Sequence, residues 1–87
     1  MPVISFFYGI IVYMFWDEGT HNKPHIHVEY DHYTATIDLD GKYIKGKLPP
    51  KKKKLLDAWI ELRHEDLNVC WKLMKNGEPA IKIEPLK

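Results

Sequence analysis

Cysteine is almost absent from this sequence, in which Cys70 is the only one. A single cysteine excludes an intramolecular disulfide framework, so the expected compartment is a reducing cytoplasm. The sequence also lacks glycine-rich phosphate loops, a nucleophile elbow, repeats and low-complexity linkers, which disfavours most large enzyme classes. The apolar residues 3–16 have no basic start and no cleavage site, and they are too short to cross a bilayer before Asp17 and Glu18. We therefore expect neither a signal peptide nor a membrane span.

The 87 residues, 45% hydrophobic and 29% charged, suit one small soluble domain over residues 1–87. Residues 10–16 predict a strand that is apolar on both faces, and such a strand is normally covered on both sides. A helix can cover one side. The other side needs Phe6, Phe7 and Tyr8, or a partner chain, so a homodimer through this strand is one alternative.

The residues after Pro24 alternate between polar and apolar, which is the period of a half-buried strand. His25, His27 and Glu29 form the polar set, and Ile26, Val28 and Tyr30 form the apolar set. Residues two apart along a strand lie about 6.6 Å from each other. The two imidazoles are thus neighbours, and we expect both on the solvent side of the sheet.

Two turn sequences predict the pairing of the following strands. Asp31-His32 has the length of a two-residue hairpin turn, and Asp40-Gly41 is a sequence type that readily supplies positive backbone angles. The predicted facing pairs are Tyr30 with Tyr33, Val28 with Ala35, Ile26 with Ile37, His27 with Thr36, His25 with Asp38, Asp38 with Tyr43, Ile37 with Ile44 and Thr36 with Lys45. This register collects the apolar residues on one face, and a slip by one residue would mix the faces.

The polar face then gathers a set of candidate catalytic residues, namely His25, His27, Asp38, Tyr43 and Lys45. A carboxylate opposite His25 would fix its tautomer and raise its pKa. In an RNA-cleaving mechanism one histidine would take the proton of a 2′-hydroxyl, the other would protonate the leaving oxygen, and Lys45 with Lys47 would stabilise the phosphate. Polar decoration of a solvent face explains the same residues.

A metal site is a weaker interpretation, and we expect no cofactor. Two histidines at this spacing without a secure third ligand are a weak zinc signal. If a metal is present, His25, His27 and Asp38 would bind it, with Glu29 or His21 as further candidate ligands.

From residue 50 to residue 75 apolar residues recur at steps of three and four, which predicts one long helix stopped by Asn76-Gly77. A break near His64 is an alternative. Residues 80–83 predict a short final strand. The expected fold is α+β: a small antiparallel β-meander of three to five strands, in chain order, packed on one long C-terminal helix.

Residues 42–54 carry seven lysines and no acidic residue, although the whole chain has a net charge of only +1. The run at Lys51 to Lys54 lies in the first helical turn, where acidic residues are preferred. The candidates for binding phosphates or an acidic partner are Lys42, Lys47, Lys51, Lys52, Lys53 and Lys54. The alternative is a solvated basic turn that keeps a sheet edge from aggregating.

The sequence resembles a family of small prokaryotic proteins named domain of unknown function 4160. The most specific motifs are Tyr-Gly-Ile-Ile at residues 8–11, Pro-His-x-His-Val at residues 24–28 and Gly-Glu-Pro at residues 77–79. Lys23 stands where many relatives carry a second proline, and Asp31-His32 replaces a glycine-containing turn. The resemblance lends no catalytic residues.

What the resemblance implies is a cytoplasmic protein encoded beside a second short protein, of the domain of unknown function 2442 family, in an arrangement like a toxin and antitoxin pair. The first hypothesis is a component of such a module that binds RNA or a cognate partner protein, with or without metal-independent RNA cleavage. The second is a non-enzymatic module that binds a protein or operator DNA. The third is a metal-dependent hydrolase.

Overall fold

The computed structural model describes residues 2–16 and 23–87 of the chain. Within these residues the chain forms five strands followed by two helices: β1 (Val3–Phe7), β2 (Ile10–Tyr13), β3 (His25–Tyr30), β4 (Tyr33–Asp38), β5 (Tyr43–Gly46), α1 (Pro50–Leu62) and α2 (His64–Lys75). The strands form one antiparallel sheet in chain order. The predicted α+β class and the predicted meander are confirmed.

Strand β1 is an element that the sequence reasoning missed, because it treated the residues before Ile10 only as apolar cover. Tyr8 and Gly9 both have positive φ, 49° and 80°, which is the backbone of a tight two-residue hairpin turn. Phe7 therefore pairs with Ile10, and β1 runs back along β2. Strand β2 ends at Tyr13, earlier than the predicted span of residues 10–16.

The β3–β4 hairpin has the predicted register throughout. Tyr30 pairs with Tyr33 at the turn, and His25 pairs with Asp38 at the far end. Asp31 has a φ of 53°, a left-handed conformation that aspartate tolerates better than most residues. The alternation of apolar and polar residues on the two strands is thus kept in phase.

The β4–β5 connection differs from the prediction. The Asp38 amide donates to the Lys42 carbonyl at 2.9 Å, and Gly41 has a φ of 89°, so the loop contains three residues rather than two. A register shift follows in which Tyr43 pairs with Ile37. The predicted pairs of Tyr43 with Asp38 and of Ile44 with Ile37 are therefore wrong, whereas the pair of Lys45 with Thr36 is confirmed.

The predicted single helix is divided at Arg63, whose backbone (φ −111°, ψ 21°) leaves the helical region. Glu65 and Asp66 lie in the first turn of α2, where acidic side chains stabilise a helix start. The apolar stripe nevertheless stays in phase, because α1 and α2 bury one set of residues against the sheet: Leu56, Trp59, Ile60, Leu67, Cys70 and Trp71.

The C-terminal residues 78–87 follow the outer edge of β1 without forming the predicted final strand at residues 80–83. A single backbone bond, from the Ile83 amide to the Ile4 carbonyl at 2.7 Å, ties them to that edge. The Trp59 indole donates to the Glu84 carbonyl at 2.8 Å. One ladder bond does not make a strand, but Ile83 is buried and closes the core.

Gly46 allows β5 to lie close to β4. Its φ is +74°, and a Cβ there would overlap the Thr34 carbonyl oxygen. Gly77 has a φ of +83°, yet no described atom lies within 4 Å of the position of its Cβ. Alanine costs about 1–2 kcal/mol at either position through the left-handed backbone alone.

We predict that Gly46→Ala lowers the free energy of unfolding by a further ~2 kcal/mol relative to Gly77→Ala, because only Gly46 adds an overlap with backbone. Urea unfolding followed by circular dichroism measures both variants. An equal loss in the two would contradict the close approach of β5 to β4.

Candidate functional site on the open face of the sheet

The sheet has a core face, covered by the helices, and an open face on the opposite side. Alternation along β3 turns Ile26 and Val28 into the core and His27 and Glu29 to the open face. A shallow cavity of about 420 Å³ lies there, and its lining is Tyr13, His27, Val28, Glu29, Thr34, Ala35, Thr36, Lys45 and Gly46. This cavity contains the predicted residues His27 and Lys45.

His27 is half-buried on the open face and is held on two sides. Its ring stacks on Phe15 with the ring centroids 4.1 Å apart and an interplanar angle of 12°. Its Nδ1 lies 3.3 Å from the Thr36 hydroxyl of the facing strand. The imidazole is therefore fixed in orientation by residues of β4 and of the segment that follows β2.

His25 lies beside His27, with the ring centroids 5.0 Å apart and the rings at an angle of 77°, so the prediction that the two imidazoles are neighbours is confirmed. The prediction that both face solvent is wrong for His25. His25 is only 2% exposed, because Trp71 of α2 lies against its ring at a centroid distance of 5.1 Å. Its Nδ1 donates to the Lys23 carbonyl at 2.8 Å, so the neutral ring carries its proton there. Its Nε2 has no hydrogen-bond partner among residues 2–16 and 23–87.

Asp38 pairs with His25 as predicted, but both of its oxygens are engaged by other groups. Oδ1 accepts from the Asp40 and Lys42 amides at 2.9 and 3.0 Å, and Oδ2 lies 3.1 Å from the Lys23 ammonium. Burial alone would raise the pKa of Asp38, but the bonds from Lys42, Lys23 and Asp40 together lower that pKa below its ordinary value. The Asp38 carboxylate therefore holds the backbone of the β4–β5 loop and does not orient the His25 imidazole.

Tyr43 lies on the helix side of β5 because of the register shift. Its hydroxyl accepts from the Leu48 amide at 2.9 Å and donates to the Leu48 carbonyl at 3.4 Å. The Lys53 ammonium lies 4.9 Å from the centre of its ring. Tyr43 is thus separated by the sheet from His27 and Lys45. Of the predicted five-residue catalytic set, the structure brings His25 to His27 and His27 into one cavity with Lys45, but it does not bring Tyr43 to them.

Tyr13 and Glu29 form a pair on the open face that the sequence reasoning did not identify. The hydrogen bond to Glu29 raises the pKa of the Tyr13 hydroxyl, with burial and the Glu29 charge adding to it. Tyr13 faces His27 across β2 and β3, and Ile11 faces Glu29, so the pair is a diagonal one. The alternation within residues 10–16 puts Ile11 and Tyr13 on one face of β2. Pairing that face with the face of β3 that carries Glu29 would have indicated the contact between Tyr13 and Glu29.

The lysines at positions 51–54 fall into two groups: two bond to other parts of the protein, and two have exposed side chains. The Lys52 ammonium donates to the Tyr8 carbonyl at 3.1 Å, and the Lys53 ammonium donates to the Gly41 carbonyl and to Asp57, both at 2.7 Å. These two lysines hold α1 to the sheet. The predicted binding residues that stay exposed are Lys42, Lys47, Lys51 and Lys54.

A metal centre finds no support in the described part of the chain, since no three His, Cys, Asp or Glu side chains there lie close enough to bind one ion. His21, one of the suggested further ligands, lies outside the described residues. Cys70 is buried, and burial raises the pKa of its thiol. No helix in the described residues is long and apolar enough to cross a membrane.

Comparison with known families places the chain. The model of the family described as domain of unknown function (DUF4160) matches residues 9–72, which include β2 to β5, α1 and most of α2. The chain belongs to this family. No curated protein and no solved structure matches it. The DUF4160 match thus includes the open face at β2 to β5, whereas β1 lies before it.

The low pKa of Asp38 predicts an acid-sensitive contribution to the stability of this DUF4160 protein. A carboxyl whose folded pKa lies below its unfolded value of 3.8 stabilises the fold fully above pH 3.8 and loses that contribution as the pH falls through the folded pKa. Asp38→Asn should therefore lower the free energy of unfolding by about 2 kcal/mol at neutral pH and flatten its decline below pH 3.8.

Urea unfolding measured as a function of pH tests this prediction, with Asp40→Asn as the control. Asp40 is an exposed carboxyl of the same loop, so its variant should keep the acid decline of the unsubstituted protein. An unchanged decline in Asp38→Asn would show that the carboxylate is not the group responsible.

Proposed function

We propose that this DUF4160 protein is a non-enzymatic component of a two-protein module and that it binds its cognate partner protein on the open face of the sheet. The observation that carries the proposal is a group of apolar side chains on that face, called the apolar patch: Phe6, which pairs with Ile11, and Phe15, which stacks on His27. Phe6 is 61% exposed at the edge, and Ile11 and Phe15 are half-buried towards the centre. An exposed aromatic side chain beside a shallow cavity of mixed polar and apolar lining is typical of a protein interface.

The arrangement of the histidines supports binding rather than RNA cleavage. Acid and base catalysis needs two proton-transferring groups within reach of one substrate. His27 lines the cavity, but His25 is covered by Trp71 and Asp38 is held by the loop and Lys23. His25 lies beside His27 but is buried, so only one of the two imidazoles lines the cavity together with Lys45.

The charges on the open face support a protein partner more than a nucleic acid. The cavity is lined by one cation, Lys45, and one anion, Glu29, so their charges cancel. Affinity for RNA or DNA comes mainly from neutralised phosphates and needs an excess of cations. Apolar contact with Phe6 and Ile11 requires no such excess, and the polar side chains of the cavity provide hydrogen bonds at the rim of an interface.

The test is Phe6→Asp, assayed with the protein encoded by the neighbouring gene as the partner. We expect the affinity to fall about 30-fold, because a charge would be buried in place of an aromatic contact. Isothermal titration calorimetry measures the affinity, and co-purification of the two proteins provides a second readout.

Leu62→Asp is the matched control. Leu62 is 66% exposed at the end of α1, on the helical side of the molecule, so the same substitution there should leave binding unchanged. An equal loss in both variants, or no loss in Phe6→Asp, would remove the open face as the binding surface. RNA cleavage by the purified protein that disappears in His27→Ala would overturn the non-enzymatic assignment.

A further inference from the structure

The two edges of the sheet differ in whether other parts of the chain cover them. The edge of β1 is covered by the C-terminal residues, through the bond from Ile83 to Ile4 and a bond of 2.7 Å from the Lys82 ammonium to the Val3 carbonyl. The edge of β5 pairs with no strand in the described parts of the chain, and all four of its residues are exposed. An uncovered edge presents unpaired backbone N–H and C=O groups to solvent.

The side chains along the β5 edge combine apolar surface with positive charge. Ile44 is 51% exposed and Tyr43 is 42% exposed. Lys42, Lys45 and Lys47 lie beside them and are exposed as well. Lysines at an edge discourage pairing with neutral strands, but they do not discourage pairing with a strand that carries negative charge.

This charge also argues against a second copy as the occupant of the edge. Antiparallel pairing of two β5 strands about a twofold axis would bring the two lysine rows against each other, because such an interface repeats the same residues. Like charges directly opposite each other destabilise a strand pair. No acidic residue between positions 42 and 54 would offset the repulsion.

We propose that the β5 edge accepts an extended acidic segment of a protein as an added antiparallel strand. Backbone hydrogen bonds along the edge provide affinity, and carboxylates at alternate positions pair with Lys45 and Lys47 to provide specificity. The choice of a protein ligand rests on the proposed function. Lys45 also lines the cavity of the open face, but the β5 edge does not include Phe6, Ile11 or Phe15.

The experiment uses a labelled synthetic peptide in which glutamate alternates with valine and measures its binding to the full chain by fluorescence anisotropy. We expect binding that weakens with salt, and no binding of the peptide in which lysine replaces glutamate. Lys45→Glu combined with Lys47→Glu should weaken binding about tenfold or more. Lys72→Glu combined with Lys75→Glu, the same change of charge on α2, should have no effect.

A second peptide tests whether the contact is a strand rather than charge attraction. Methylation of alternate backbone amides keeps every carboxylate but removes the donors that a strand needs, so this peptide should fail to bind the unsubstituted protein. This comparison stays valid if the lysine variant does not fold. Equal binding of the methylated peptide would overturn the proposal.

Three further outcomes are decisive. If the proposal is right, the Phe6→Asp variant binds the acidic peptide with unchanged affinity. Failure of that variant to bind the cognate partner then tests the open face alone, and failure of the unsubstituted protein to bind the peptide tests the β5 edge alone. Polyuridylate that displaces the peptide and binds more tightly would assign the edge to phosphates and overturn the proposal. A dimer in sedimentation that the lysine variant abolishes would assign the edge to a second copy and overturn it as well.

Discussion

The pairing of β3 with β4 decides which side chains the sheet presents to solvent. Each strand alternates polar and apolar residues, and a slip by one position would place Ile26 and Val28 opposite threonines. The left-handed Asp31 holds the register at the turn. Strand β2 pairs with one side of this hairpin and β5 with the other, so the hairpin also determines which of their residues lie on the open face. Tyr13 lines the cavity because it pairs with His27, and Lys45 lines it because it pairs with Thr36.

The local pattern was sufficient to predict elements whose residues interact with near neighbours in the chain. The β3–β4 register, the order of the strands and the phase of the helical stripe were all readable from the sequence. The break at Arg63 was harder to read, because the apolar stripe continues through it and only the acidic pair Glu65 and Asp66 marks a new helix start. Strand β1 was missed because its hairpin turn, Tyr8-Gly9, carries a tyrosine in a left-handed conformation that bulky residues seldom adopt.

The candidate site was predictable only where a single strand determines it. The alternation along β3 correctly predicts that His27 lies on the open face. No sequence periodicity indicates that Trp71, which follows His25 by 46 positions, covers the His25 ring. Asp38 was placed opposite His25 by the correct register, yet its carboxylate is taken by Lys23 and by two amides of the following loop. A three-residue loop with a register shift then moved Tyr43 to the other face. Side-chain partners at the end of a sheet depend on loops and helices that strand patterns do not describe.

The lysines at the start of α1 illustrate how tertiary contacts override a local rule. Three positive charges in the first turn, with Lys54 directly after it, oppose the helix dipole, each at a cost of about 0.3–1 kcal/mol. Lys52 and Lys53 extend instead to the carbonyls of Tyr8 and Gly41, in the β1–β2 and β4–β5 connections, and lie over the Tyr30 and Tyr43 rings. The helix is thereby fastened across the width of the sheet by the charges that disfavour its start. Lys51 and Lys54, which have exposed side chains, then extend the positive surface that begins at the edge of β5.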